Sequence, residues 1–455
     1  MAAHRRTRRK IAIVVLCLAG MLIAGGAGAF YFGVGAFDIG PASRSLDADA
    51  AKYRAAGWPW EANDLLPKPR LADKDNAAPM LKEAIAYYKD NVEKTLDSPE
   101  DYGKLAPKLP GLDKALDLAA EATRKPGVDF GRDWDRGPAL LFPEFSQMKS
   151  FVKDFSARAE WRCAHGDVTG AIADLKAGHR MGEFAAADPI LIAMLVDLAC
   201  IDINSHAYQE CAAILKGNEP ALRQLSDGFD PEHLPSLAFA MRGEAYMGIS
   251  LMRNLDRYGG ARAVLSSMSG PSDNSYRTPN PATLRRTGLP TDTLSRAFLD
   301  HHLRFWTGLT PMFKNDVDPQ TISSTIDQEM VRETNKRSLS GTLDDMLLPV
   351  FSESGQAIVR ARASVEATRA LLMAMEIQAR TGAFPKSIDQ IPGKWMDPFS
   401  KEPLKLKTDG KSIRIYSVGP DHKDDGGLAK SEIMKNGALT YDIVAAYPPI
   451  ISKGR

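Results

Sequence analysis

The stretch "PLKLKTDGKSIRIYS", Pro403 to Ser417, alternates apolar and polar residues on both sides of Asp409-Gly410. A period of two places successive side chains on opposite faces of a strand. Asp-Gly between two such runs is a strong hairpin signal. A two-residue turn predicts Thr408 opposite Lys411, Leu406 opposite Ile413, and Leu404 opposite Ile415. The leucines and isoleucines then share one face. Lys405, Lys407 and Arg414 fall on the other and are expected to meet solvent. "ALTYDIVA", 438–445, supplies a later strand, so the chain is expected to close with a small antiparallel sheet.

Upstream, the period changes. Ile358, Ala361, Val365, Thr368, Leu372, Met375 and Ala379 follow steps of three and four, which predicts one buried stripe of a long helix from about Glu353 to Thr381. Glu366 with Arg369 and Glu376 with Arg380 stand within helical reach elsewhere on its surface. Gly382 can take the left-handed backbone that ends a helix, and Pro385 prevents its resumption.

Downstream, "YSVGPDHKDDGG", Tyr416 to Gly427, packs three aspartates and three glycines into one loop. Calcium takes 6–8 hard oxygen ligands at about 2.3–2.6 Å in forgiving geometry. Asp421, Asp424 and Asp425 offer such oxygens, and they would repel one another without a cation. Gly419, Gly426 and Gly427 allow turns that direct carbonyls inward. A polar Asx-turn loop with solvated carboxylates is the competing reading.

The helix ending in "TGAFPKSIDQIP" (381–392) is followed by "DPFSKEPLK" (397–405), "YSVGPD" (416–421) and "YDI" (441–443). In that order these segments resemble the C-terminal domain of the major pseudopilin of type II secretion systems. That family carries Gly-x-Tyr-Pro, Asp-Pro-Trp/Phe-Gly, Ser-Leu-Gly-x-Asp-Gly and a closing Asp-Ile. The resemblance implies a helix-plus-sheet module whose loop binds calcium through Asp421 and Asp442. Tyr441 stands where the family can carry another acid, and Asp424 and Asp425 are the candidates to replace it. Pilus assembly is not implied, because the family's processing site, Gly-Phe-x-x-x-Glu, is not found. More than 300 residues also separate the apolar N-terminal run from the pseudopilin-like helix. As a whole the chain is similar to membrane-anchored bacterial proteins of unassigned activity that share an "NAAP" segment (76–79), a helical middle and this C-terminus.

Between the ends, a helix is expected from about Ala77 to Lys94, with Pro79 harmless in its first turn. "FSQMKSFVKDFSARAEWRCA" (145–164), "VTGAIADLKAGHRMGEF" (168–184), "PILIAMLVDLACIDINSHAYQECAAIL" (189–215) and "LPSLAFAMRGEAYMGISLMRNL" (234–255) read as stacked amphipathic or buried helices. The first two, joined through His165-Gly166-Asp167, resemble a tetratricopeptide-type hairpin, with Ala171 and Leu175 at packing positions. No 34-residue repeat follows. Residues 258–292 have the composition of an exposed loop. Further helices are expected near 293–308 and 319–337.

The usual catalytic signatures are missing: no HExxH, GxSxG, P-loop, or GxGxxG after a strand. His301-His302 read as surface or aromatic-packing residues, and His165 and His179, near helix ends, as structural ones. Asp133 and Asp135 in "GRDWDRG" read as local partners of Arg132 and Arg136, and Trp58 and Trp60 as anchors under the first helix. Cys163, Cys200 and Cys211 have neither CxxC nor zinc spacing; one disulfide or three buried thiols both fit.

The apolar and charged fractions, 44% and 25% of 455 residues, are those of a globular protein. Arg5, Arg6, Arg8, Arg9 and Lys10 precede the run "IAIVVLCLAGMLIAGGAGAFYFG" (11–33), which is long enough to span a bilayer. The positive-inside rule then places the rest of the chain on the outer side. A cleaved signal peptide is the competing reading, with "AGA" at 27–29 offered to a peptidase. Leu16 stands where a lipoprotein signal requires a small residue, which argues against lipidation of Cys17. Without the five N-terminal cations the balance is 53 basic to 57 acidic residues, which gives no support for nucleic-acid binding.

The expected architecture is α+β and mainly α, with an N-terminal transmembrane helix at 1–37 including its basic lead. A helical extracytoplasmic domain follows at 38–340, and the pseudopilin-like helix and antiparallel sheet occupy 341–455. The expected function is non-enzymatic: scaffolding or protein–protein interaction at the periplasmic side of the inner membrane, with a calcium-stabilised C-terminus. A hydrolase whose active site assembles from dispersed residues of the helical domain is the alternative.

Overall fold

The computed structural model describes residues 46–92, 96, 99–108, 110–229, 234–253, 293–313, 321–322, 339–433 and 441–450. The expected membrane span, the loop at 258–292 and nearly all of the helix expected at 319–337 lie outside the described residues. The fold is mainly helical with a three-stranded antiparallel sheet near the C-terminus. In chain order the helices are α1 (Leu46–Ala55), α2 (Ala78–Asn91), α3 (Pro99–Leu105), α4 (Pro110–Thr123), α5 (Phe145–Ala164) and α6 (Val168–Ala185). They continue with α7 (Leu191–Ile214), α8 (Glu219–Gly228), α9 (Leu237–Arg253), α10 (Thr293–Leu309), α11 (Leu339–Thr381) and the short α12 (Lys430–Ile433). The strands are β1 (Lys405–Thr408), β2 (Ile413–Ser417) and β3 (Ile443–Tyr447).

Two compact units divide the chain, each assembled from separated segments. One takes the chain up to Leu66, Arg132–Leu141 and Met241–Ser354. Its described core is aromatic. Trp58 packs edge-on to Trp306 at 5.0 Å and Phe313 at 5.9 Å, and its indole N–H donates to Thr310 Oγ1 at 2.8 Å. Trp60 meets the guanidiniums of Arg54 and Arg253, 4.7 and 5.0 Å from its ring centre. Both tryptophans are therefore packing residues. His302 is buried beside Trp306 with Nε2 3.0 Å from the Ala245 carbonyl, while the side chain of His301 lies outside the described set. Arg136 pairs with Asp133 at 3.8 Å, and Asp135 accepts from the Tyr246 hydroxyl at 2.6 Å.

The second unit takes Pro67–Gly131, Phe142–Ala240 and the chain from Gly355 onward. Helices α5 and α6 form the expected hairpin. Gly166 adopts φ +83°, Asp167 N donates to Arg162 O at 2.9 Å, and Gly166 N donates to Cys163 O at 3.2 Å. This is a Schellman end, in which left-handed glycine lets the last carbonyls of α5 find donors. Asp167 then caps α6 by accepting from Gly170 N. Helix α7 is the one described helix long and apolar enough to cross a bilayer. It is internal to the sequence, and its apolar surface is used against α5, α6 and β3. Cys163, Cys200 and Cys211 are free and buried in these helices.

Helix α11 ends at Thr381 as expected but begins at Leu339, fourteen residues ahead of the expected start. Within the second unit its predicted stripe is buried at Ile358, Ala361, Val365, Thr368, Leu372 and Met375, each 8% exposed or less, whereas Ala379 in the last turn is only half-buried. Thr368 accepts from Gln209 Nε2 at 2.9 Å, and Gln209 Oε1 accepts from the outward-facing amide of Ala446 at 3.4 Å. One glutamine thus ties α7 to α11 and satisfies one amide of β3.

The hairpin exists, but its register corrects the expectation. Thr408 pairs with Ile413, Leu406 with Ile415, and Lys405 with Tyr416. The turn spans four residues, not two. Asp409 Oδ1 accepts from the amides of Lys411 and Ser412 at 2.9 and 2.6 Å, and that Asx turn is satisfied only in the wider loop. A shift of two residues keeps side-chain parity, so the leucines and isoleucines remain on the core face. β2 pairs with β3 on its other side. Val359 and Ala363 of α11 pack with Phe399, Val418 and Ile443 to form the core of the helix–sheet module.

Candidate functional site

The loop after β2 folds back on the sheet through its own carboxylates. Asp442, 1% exposed, accepts from Gly427 N at 2.6 Å and Asp425 N at 3.3 Å, while Asp442 N donates to Leu428 O at 3.0 Å. Asp424 Oδ1 accepts from the Tyr416 hydroxyl at 3.0 Å and from Gly426 N at 2.9 Å. Asp421 Oδ1 accepts from Lys423 N at 3.2 Å. The fold therefore brings Asp442 to the loop, but it meets the backbone of Asp425 and Gly427.

Two glycines are required for close approach as well as for backbone freedom. A Cβ on Gly419 (φ +74°) would stand 2.7 Å from the Tyr441 carbonyl, and one on Gly427 (φ +78°) 3.1 Å from the Tyr416 ring. The expectation that loop carbonyls turn inward is corrected at Gly426 and Gly427. Gly426 O accepts from Lys407 Nζ at 3.0 Å, and Gly427 O accepts from Arg414. Arg414 is itself half-buried and bonded through both terminal nitrogens to Glu432 at 2.8 Å. The polar face of the hairpin is thus partly a support for the loop, which corrects its assignment to solvent alone.

Charge in the loop is only partly answered. Burial raises the Asp442 carboxyl above the ordinary aspartate range; its two amide donors oppose that shift, and the carboxylates of Asp425 and Asp424 add to it. Asp421 Oδ2 and Asp425 Oδ2 are buried and have no hydrogen-bond donor. Such oxygens suit a hard cation. Among the described residues, however, no group of three or more His, Cys, Asp or Glu side chains lies close enough to hold a metal ion. The four aspartates do not make a carboxylate cage.

A further carboxylate organises this region. Asp397, from "DPFSKEP" and 1% exposed, accepts from Phe399 N at 2.9 Å, Ser400 Oγ at 3.1 Å, Ser417 Oγ at 2.7 Å and Val418 N at 3.0 Å. Its placement in the Asp-Pro-Phe segment was the available signal.

The helical part of the same unit contains a cleft of about 610 Å³ among α4, α5, α6, α7 and the end of α8. Three acids line it, and each is held by a cation. Arg158, 2% exposed, donates to both oxygens of Asp174 at 2.6 and 2.9 Å and to Asp117 at 3.0 Å. Arg162 reaches Asp174 at 2.8 Å. Burial works against the Arg158 charge, but Asp174 and Asp117 outweigh it and hold the guanidinium protonated. Burial also acts to raise Glu183, yet His179 and Arg180 outweigh it and bring its carboxyl to about 2.

Against Gly182 of α6, Asp197 of α7 is completely buried, and neither of its carboxylate oxygens has a hydrogen-bond partner. Burial pushes it up to about 7; His179 opposes that rise and Glu183 adds to it. Gly182 of α6 provides the space, since a Cβ there would stand 2.4 Å from Asp197 Oδ1. An acid inside "LIAMLVDLACI" was the sequence signal for this group.

Comparison of the chain with family models, with curated proteins and with solved structures returns no match. The pseudopilin resemblance therefore rests on the residues that carry it.

Proposed function

We propose that this protein is a non-enzymatic, membrane-anchored component of the bacterial cell envelope. Its helical, tetratricopeptide-like body serves scaffolding or protein–protein contact on the periplasmic side. Its pseudopilin-like C-terminal module is closed by a structural calcium clasp. The observation that carries the clasp is the pair of buried, donor-free oxygens, Asp421 Oδ2 and Asp425 Oδ2, in a loop where Asp424 and Asp442 add further negative charge. A cation held by these oxygens, with carbonyls and water completing six to eight ligands, would answer that charge. The side chains of Asp424 and Asp442 shape the loop around it through their bonds to Tyr416, Gly426 and Gly427. The basic lead and the apolar run at 11–33 support the anchor and the orientation.

Calcium that binds only the folded state stabilises it by about 2.7 kcal/mol at a free concentration one hundred times Kd. The full chain in detergent should therefore melt at higher temperature in calcium than in EGTA, and Asp421→Asn with Asp425→Asn should remove the difference. Identical melting of the parent protein in both buffers would overturn the clasp. For the scaffold, cross-linking in intact cells should recover envelope proteins with the chain, and its recovery alone would count against that role.

A further inference from the structure

The cleft in the helical bundle is a second, independent site. It shares no residue with the C-terminal clasp, and three features of its lining define what it can hold. Its volume, about 610 Å³, is that of a small-molecule site. Its acids are already paired with cations: Asp174 and Asp117 with Arg158 and Arg162, and Glu183 with Arg180 and His179. Lys176, exposed on α6 at the same cleft, has no ion-pair partner among the described residues, so its charge is available.

The third feature is an unanswered acceptor. Asn204 of α7 lines the cleft and is 4% exposed, and its Oδ1 has no hydrogen-bond donor. A buried carbonyl left unpaired costs about 1–3 kcal/mol, which a donor brought by a ligand would recover. Lys176 asks for a negative group and Asn204 for an O–H or N–H.

We infer that the cleft binds a small organic carboxylate that also carries a hydroxyl or amino donor. The carboxylate is held at the Lys176 side and the donor is directed to Asn204 Oδ1. The Arg158–Asp174 pair makes the rigid charged wall beside them. No covalent step is involved, and the site gives the helical body a role in solute capture beyond scaffolding.

L-malate and succinate test this directly, because they carry the same carboxylates and differ by one hydroxyl. Isothermal titration of the full chain in detergent should show saturable malate binding, with succinate at least tenfold weaker. Lys176→Glu, at an exposed position that leaves the fold intact, should weaken malate at least tenfold, while Lys411→Glu on the distant hairpin turn should not. Asn204→Leu, if it folds, should abolish the preference for malate over succinate. The titration should be unchanged in EGTA, which separates this site from the clasp. No saturable malate binding, equal binding of malate and succinate, or parent-like binding by Lys176→Glu would each overturn the assignment.

Discussion

The hydroxyl of Ser417 donates a 2.7 Å hydrogen bond to Asp397 Oδ1, joining the end of β2 to the Asp-Pro-Phe segment that precedes β1. Both residues are buried, and the carboxylate serves three further donors. Asp397→Asn replaces one acceptor oxygen by an N–H₂ that faces donors. It should cost about 2–4 kcal/mol, against about 1–2 kcal/mol for Ser417→Ala, because Asn sets a donor against a buried amide and a hydroxyl, whereas Ala removes one hydroxyl and the acceptor of Gly419 N. Urea unfolding followed by circular dichroism measures both, and equal losses would argue against Asp397 as the organising acceptor.

Asp197 should make stability depend on pH. Its folded value, about 7, lies above the unfolded value of 3.8, so the folded state binds the proton more tightly. This contribution is greatest below about pH 4, declines as pH rises towards 7 and is flat above. A difference of this size corresponds to roughly 4 kcal/mol across that window. Asp197→Asn should remove this slope in chemical unfolding curves collected at several pH values; a parallel slope in the variant would place the proton elsewhere.

Gly182 and Asp197 should be coupled. A Cβ on Gly182 would stand 2.4 Å from Asp197 Oδ1 and 2.9 Å from Cys200 Cβ. Gly182→Ala should cost about 1–3 kcal/mol by overpacking, and less when Asp197→Ala is already present. A double-mutant cycle measures the coupling, and strict additivity would place the cost of the added methyl elsewhere, at Cys200.

Arg158 should tolerate joint replacement better than single loss. Arg158→Met alone leaves Asp174 buried without its main partner and should cost about 3–5 kcal/mol. Arg158→Met with Asp174→Leu should recover most of that, measured by thermal unfolding. Equal damage from the single and the double variant would mean that the pair contributes through attraction and not through mutual neutralisation.

Cys163 of α5 and Cys211 of α7 are buried free thiols, and the neighbouring Cys163 thiol together with burial pushes Cys211 well above the ordinary thiol range. Little thiolate forms at Cys211 in the folded protein, so the native state should resist oxidation there. Refolding with glutathione disulfide should instead join the two cysteines and release two glutathione thiols. A bond closing this long loop would add about 4 kcal/mol. Peptide mapping of the refolded chain checks for the Cys163–Cys211 link.

Local patterns made much of the fold legible. The stripe from Ile358 to Met375 is written in steps of three and four, and burial follows it because a helix returns those positions to one face. The hairpin strands and the break between helices at His165-Gly166-Asp167 were readable for the same reason: each depends on neighbours in sequence. The hairpin register was readable only to within two residues. Alternation specifies which side chains share a face, whereas the bonds of Asp409 to Lys411 and Ser412 select the width of the turn.

The sites were less legible because their parts come from separate elements. Asp421, Asp424, Asp425 and Asp442 could be named from composition and resemblance, but not that Asp442 accepts from the amides of Gly427 and Asp425, or that Lys407 and Arg414 occupy the loop carbonyls. The triad of Arg158, Asp117 and Asp174 joins three helices, and the bond of Gln209 to Thr368 crosses 159 positions of chain. Backbone periodicity assigns a residue to a face through short-range sterics. Which faces meet, and which buried polar atoms find partners there, depends on packing between distant segments, and that is decided only when the chain has folded.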